Sequence, residues 1–78
     1  MKTFYYLREG SDYLENAKKY KSKRAAIDAF AETAKELAKY DQKHEASLHI
    51  AGEIEQISEY PNFVLRIGPR GGVVVERA

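Results

Sequence analysis

Between about Ser22 and Tyr40 the apolar residues recur at helical spacing. At 3.6 residues per turn Ala26, Ile27, Phe30, Ala34, Leu37 and Ala38 fall on one arc, and Asp28, Glu32, Lys35, Glu36 and Lys39 fall on the opposite one. This pattern predicts an amphipathic helix with one buried face. Ser22 is placed to cap it, because a serine hydroxyl accepts a hydrogen bond from an otherwise unpaired amide of the first turn.

Elsewhere the pattern is that of strands. Lys2 to Glu9, with Phe4, Tyr5, Tyr6 and Leu7 in succession, has the aromatic richness of a strand, and Gly10-Ser11-Asp12 ends it with turn residues. In Glu45 to Ala51, Leu48 and Ile50 alternate with Ser47 and His49, as in a half-buried strand. Pro61 is suited to the opening of a strand and not to its middle, which sets the third strand at about Asn62 to Ile67. Gly68-Pro69-Arg70-Gly71-Gly72 then reverses the chain into a fourth strand, Val73 to Arg77, whose β-branched residues suit a sheet. Residues 12–21 read two ways: Asp12 and Glu15 have capping-box spacing for a short helical turn, while an extended lead into Ser22 fits nearly as well, and we favour the turn or loop. The acidic connection after Ala51 carries Ile54 and Ile57, which are expected to tuck back on the core.

The element order is therefore β-α-β-β-β, which predicts an α+β fold: a two-layer, four-stranded, mainly antiparallel sheet with one amphipathic helix on one face. One helix covers one face. Strand one pairs Phe4 with Tyr6 and Tyr5 with Leu7, so either choice leaves two bulky residues on the far side, joined there by His49, Val64, Arg66 and Val74. Such a face suggests a homodimer contact, a partner site or a base-stacking platform, unless residues 11–21, with Tyr13, Leu14 and Tyr20, fold over it.

The length of 78 residues allows one domain spanning 1–78, burying about 60% of its unfolded surface. With no cysteine, the core alone holds the fold and a cytoplasmic setting is the simplest reading. No apolar run approaches the roughly 18 residues of a membrane span, and the N-terminus lacks the continuous apolar stretch of a signal peptide. The net charge of +1 hides a division: residues 1–24 carry seven basic and three acidic side chains, and residues 25–62 carry three basic and eight acidic. One basic and one acidic face are the expected result.

Lys18, Lys19, Lys21, Lys23 and Arg24, interleaved with Tyr20, crowd the N-terminus of the helix, where each cation opposes the helix dipole by about 0.3–1 kcal/mol. A placement that works against the helix invites a binding role toward phosphates or a partner's carboxylates. With Tyr6, His49 and Arg66 of the far sheet face, and Arg70 at the tip of the glycine-rich turn, these residues form the candidate binding set. That turn lacks the following Lys-Ser or Lys-Thr and helix of a P-loop, and reads as a hairpin turn. His44 and His49, five apart across a loop and strand, do not suggest a metal site, and no cofactor motif is present. No nucleophile with its base is recognisable, so a non-enzymatic protein is expected.

A short strand, one helix opened by SKRAAIDAF and a closing sheet ending in FVLRIGPRGGVVVERA together resemble the small accessory proteins of bacterial phages and prophages, some of which are anti-CRISPR or other anti-defence inhibitors. The resemblance implies a binding module that occludes a surface of a host protein or ribonucleoprotein complex in the host cytoplasm. A small nucleic-acid-binding domain using the basic run and strand-one aromatics, and a small homodimeric structural protein, are the alternatives.

Overall fold

A computed structural model of the chain describes residues 3–10, 12–40, 44–53, 56–58 and 60–78. The elements are β1 (Phe4–Glu9), a 3-10 turn (Leu14–Asn16), β2 (Lys18–Tyr20), α1 (Lys23–Ala38), β3 (Glu45–Ala51), β4 (Phe63–Ile67) and β5 (Val73–Arg77). The class is the expected α+β, with one helix and an antiparallel sheet, but the sheet has five strands in the order β2-β1-β3-β4-β5. The additional strand is Lys18–Tyr20, in the segment expected to be a turn or loop. It forms because β1 presents an unpaired edge to the returning chain, with Tyr5, Tyr6 and Leu7 opposite Tyr20, Lys19 and Lys18. The 3-10 turn before it lacks the capping box, since Asp12 accepts from the Tyr13 amide and the Asn16 side chain, with no side-chain cap on the turn itself.

Side chains directly opposite in paired strands share a face, so the register sorts the sheet into two sides. Leu7 lies opposite Leu48, and Ala46 opposite Leu65, which lies opposite Val75. This side takes the helix. Phe30, with no exposed surface, sits with Ala26 and Ala34 against Leu7, Leu48 and Leu65, and Tyr5, Tyr20, Ile27, Phe63, Val73 and Val75 pack around them. The Ser22 hydroxyl accepts from the Ala25 amide at 3.1 Å, as its position predicts, and Thr33 donates to Glu9 at 3.3 Å, tying the helix to the end of β1.

Boundaries shift by one or two residues at β4 and at the end of α1, where Lys39 and Tyr40 form a turn. Gly10 ends β1 at φ 58°, and Gly71 takes φ 85° in the hairpin turn, a backbone region that disfavours side chains. Ile57 is half-buried; Lys2, residues 41–43 of the polar connection and Ile54 lie outside the described residues.

The core predicts its own test. Phe30→Ala empties the contact between helix and sheet and should lower the unfolding free energy by about 3–5 kcal/mol, a large share of a small domain's total. Urea denaturation followed by circular dichroism should show this as a lower midpoint; an unshifted midpoint would contradict the packing described.

Candidate functional site

The basic run is divided by the structure. β2 is an edge strand, and alternation sends Lys19 to the side away from the helix, with its Nζ 3.9 Å from the centre of the Phe4 ring. Lys23 reaches in the other direction, its Nζ 4.0 Å from the centre of the Phe63 ring. Arg24 stands 3.8 Å from Asp28, both exposed, and Tyr20 is half-buried against the core. Lys18 and Lys21 remain exposed without such partners among the described residues. Lysines on an edge strand also have a structural use, since they discourage pairing with another chain.

The far side of the sheet is not the open face expected. The register brings Lys19, Tyr6 and His49 into one row across β2, β1 and β3, yet Tyr6 is 3% and His49 1% exposed. Lys18–Tyr20 runs beside β1 and extends the sheet, with Tyr20 packed against the core on the helix side and Tyr13 exposed, so neither tyrosine covers this face. The β3–β4 connection instead returns to the face, where the Ser58 carbonyl lies 2.8 Å from His49 Nδ1. A carbonyl only accepts, so Nδ1 carries the proton and Nε2 accepts from the Ser47 hydroxyl at 3.0 Å. Burial holds the His49 pKa below its ordinary 6.5, against the opposing pull of the Ser58 carbonyl, and the charge of Arg8 lowers it further. A base-stacking platform needs exposed rings, and here Tyr6 and His49 are covered.

No nucleophile with its base is recognisable in the sequence, yet the structure brings the Ser47 hydroxyl and His49 Nε2, i and i+2 on one strand face, within hydrogen-bonding distance. Ser47 is 8% exposed, and its hydroxyl is engaged by His49. The pair therefore acts as a clasp between sheet and connection. Arg8, opposite Ser47, belongs to the same cluster; its Nε is buried with no hydrogen-bond partner among the described residues. Arg66 donates two hydrogen bonds to Glu76 across β4 and β5, at 3.0 and 2.6 Å, so its charge is matched within the chain. Arg70 sits at the β4–β5 turn, at the opposite edge of the sheet from the basic run, and is not brought together with it.

A second region was not singled out by sequence reasoning. On the helix side, an open groove of about 850 Å³ runs between the C-terminal half of α1 and the β4–β5 hairpin, lined among others by Ala34, Ala38, His44, Ile67, Pro69 and Val73. That volume falls within the range of about 300–1,000 Å³ usual for ligand sites. The alanines make it, because side chains that stop at Cβ leave a gap between helix and strands. His44, 5.3 Å from Phe30 and stacked on it, lines the same space, so His44 and His49 lie on opposite sides of the sheet. Beside the groove, β5 is the last strand of the sheet, with Val73, Val74 and Val75 half-buried.

No family model matches the chain, and neither a curated protein nor a solved structure matches it.

The His49 clasp gives a pH dependence of known sign. With its folded pKa below the unfolded value, the neutral ring stabilises the fold fully above about pH 6.5, and this contribution is lost as pH falls through the lowered folded value. Unfolding free energies between pH 8 and 5 should decline below about 6.5, and His49→Gln should flatten that decline. An identical slope in the variant would remove His49 as its source.

Proposed function

We propose that this chain is a non-enzymatic binding module that acts by covering a surface of another protein, using the side of the sheet where β5 and the groove lie. The observation that carries this reading is the contrast between the two sheet edges. β2 is three residues long and presents lysines, whereas β5 is five residues long, presents three consecutive valines and borders an apolar groove. Natural sheets blunt their edges with short strands and lysines, and an edge left without these devices is suited to a partner.

The phage and anti-defence setting belongs to the same proposal: a small inhibitor in the host cytoplasm that occludes a host protein or ribonucleoprotein complex. The nucleic-acid alternative draws less support, since Tyr6 and His49 are covered and Lys19, Lys23 and Arg24 have partners within the chain. The homodimer alternative through the far sheet face loses support for the same reason, as that face is partly occupied by the β3–β4 connection.

Ala38 is exposed at the groove wall, so Ala38→Trp fills the groove without entering the core. In affinity capture from the source organism, the wild type should retain a specific protein that Ala38→Trp loses, with the two melting alike, while Lys18→Glu/Lys21→Glu should retain it. Equal capture by wild type and Ala38→Trp would refute the groove side. Salt-sensitive binding of short DNA or RNA that depends on Lys18 and Lys21 would replace the proposal with the nucleic-acid reading.

A further inference from the structure

The turn and the end of the hairpin reveal which backbone groups of β5 are unpaired. Gly68 donates to the Gly72 carbonyl at 2.7 Å, and Ala78 donates to the Asn62 carbonyl at 3.4 Å. In an antiparallel ladder, pairs that exchange hydrogen bonds alternate with pairs that do not. Between these two bonded positions the register therefore bonds Val64 with Glu76 and Arg66 with Val74. Val73, Val75 and Arg77 consequently turn their N–H and C=O groups away from β4, toward the open edge. Their side chains fall on the helix side, since Val75 lies opposite Leu65 and Val73 opposite Ile67.

Resting on the binding reading above, we propose that β5 receives an extended segment of a partner protein as a sixth strand, with β-branched or aliphatic side chains at alternate positions and acidic residues at its ends. The main chain of the segment pairs with Val73, Val75 and Arg77. Its apolar side chains continue the Val73–Val75 row and cover the side of the groove left open by α1. Charge selects the ends. Lys35, Arg70 and Arg77 are exposed around this edge and groove, Glu76 is held by Arg66, and Glu45 is the acidic side chain among the described residues that line the groove.

The same charges disfavour a second copy of this chain. Antiparallel self-pairing centred on Val75 sets Arg77 opposite position 73, next to the turn that carries Arg70, so like charges meet at both ends. A foreign segment with acidic ends does not meet this repulsion; main-chain pairing supplies its affinity and alternate side chains supply its selection.

The test pans a display library of random twelve-residue peptides on the folded chain and measures the enriched peptides against four proteins: wild type, Arg77→Pro, Arg77→Glu and Ala38→Trp. Proline at 77 removes one outward donor while leaving the β4–β5 bonds in place. Enriched peptides should alternate β-branched residues between acidic ends, and should bind Arg77→Pro and Arg77→Glu about fivefold or more weakly at low salt. On binding, the Val73, Val75 and Arg77 amides of the wild type should become protected from hydrogen exchange, a readout that holds even if a variant folds poorly. Protection elsewhere, helical or basic consensus peptides, or no enrichment would overturn strand addition. If peptides lose affinity for Ala38→Trp yet bind Arg77→Pro normally and leave the β5 amides exchanging, the groove reading stands and strand addition fails; indifference to all three variants rejects both. Binding of the wild type to itself in sedimentation, with the β5 amides protected, would make the second copy the occupant.

Discussion

Phe30 rests on the row Leu7, Leu48, Leu65, and the organisation of the molecule follows from that contact. An aromatic ring with no exposed surface, seated across the three central strands, sets which face of each strand turns inward. Because side chains alternate along a strand, choosing one face chooses the other. Tyr5 and Leu7 are drawn under the helix, and Phe4, Tyr6 and Arg8 are sent to the far side. Ala26 and Ala34 lie in the core at that row, while Ala38, further along the helix, is exposed at the groove, so one helix both closes a core and leaves a groove.

The two sides of the sheet answer the same shortage of cover differently. On the far side a polar cluster accepts it: His49 satisfies both ring nitrogens with Ser47 and Ser58, so its burial costs little in lost hydrogen bonds. Arg8 Nε has no such partner among the described residues, and a buried donor left unmet carries a penalty of about 1–3 kcal/mol. On the helix side no segment among the described residues fills the space over Ile67, which is 36% exposed. The groove and the adjoining edge are therefore where further burial is still to be gained.

The edges carry a similar contrast. Lys18, Lys19 and Lys21 drew attention in the sequence as cations set against a helix dipole, and Lys18 and Lys19 now have a second reason to be there, as residues of the short edge strand that discourage other strands from pairing. Two of the five cations lie over aromatic rings and a third pairs with an acid one turn away, so much of the apparent surplus charge is used within the chain. At the opposite edge nothing equivalent among the described residues protects Val73 to Val75.

Periodicity determined what is local. The 3.6-residue spacing from Ala26 to Ala38, the Ser22 cap, the alternation of β3 and the glycine turn before β5 are each settled by neighbours a few residues apart, and the parity of β1, Tyr5 and Leu7 against Phe4 and Tyr6, follows from geometry alone. The tertiary structure decided what depends on distant segments. Lys18–Tyr20 has no strand signal of its own and becomes a strand because β1 offers it an edge. His49 reads as exposed from its place in the alternation and is buried because a carbonyl nine residues later returns to it. The groove exists only once the helix has been placed across the sheet, and the edge character of β5 only once strand order is known. Strand pairing across an intervening helix leaves little trace in a window of sequence, because the hydrogen bonds that make it are between backbone groups that every residue but proline has alike.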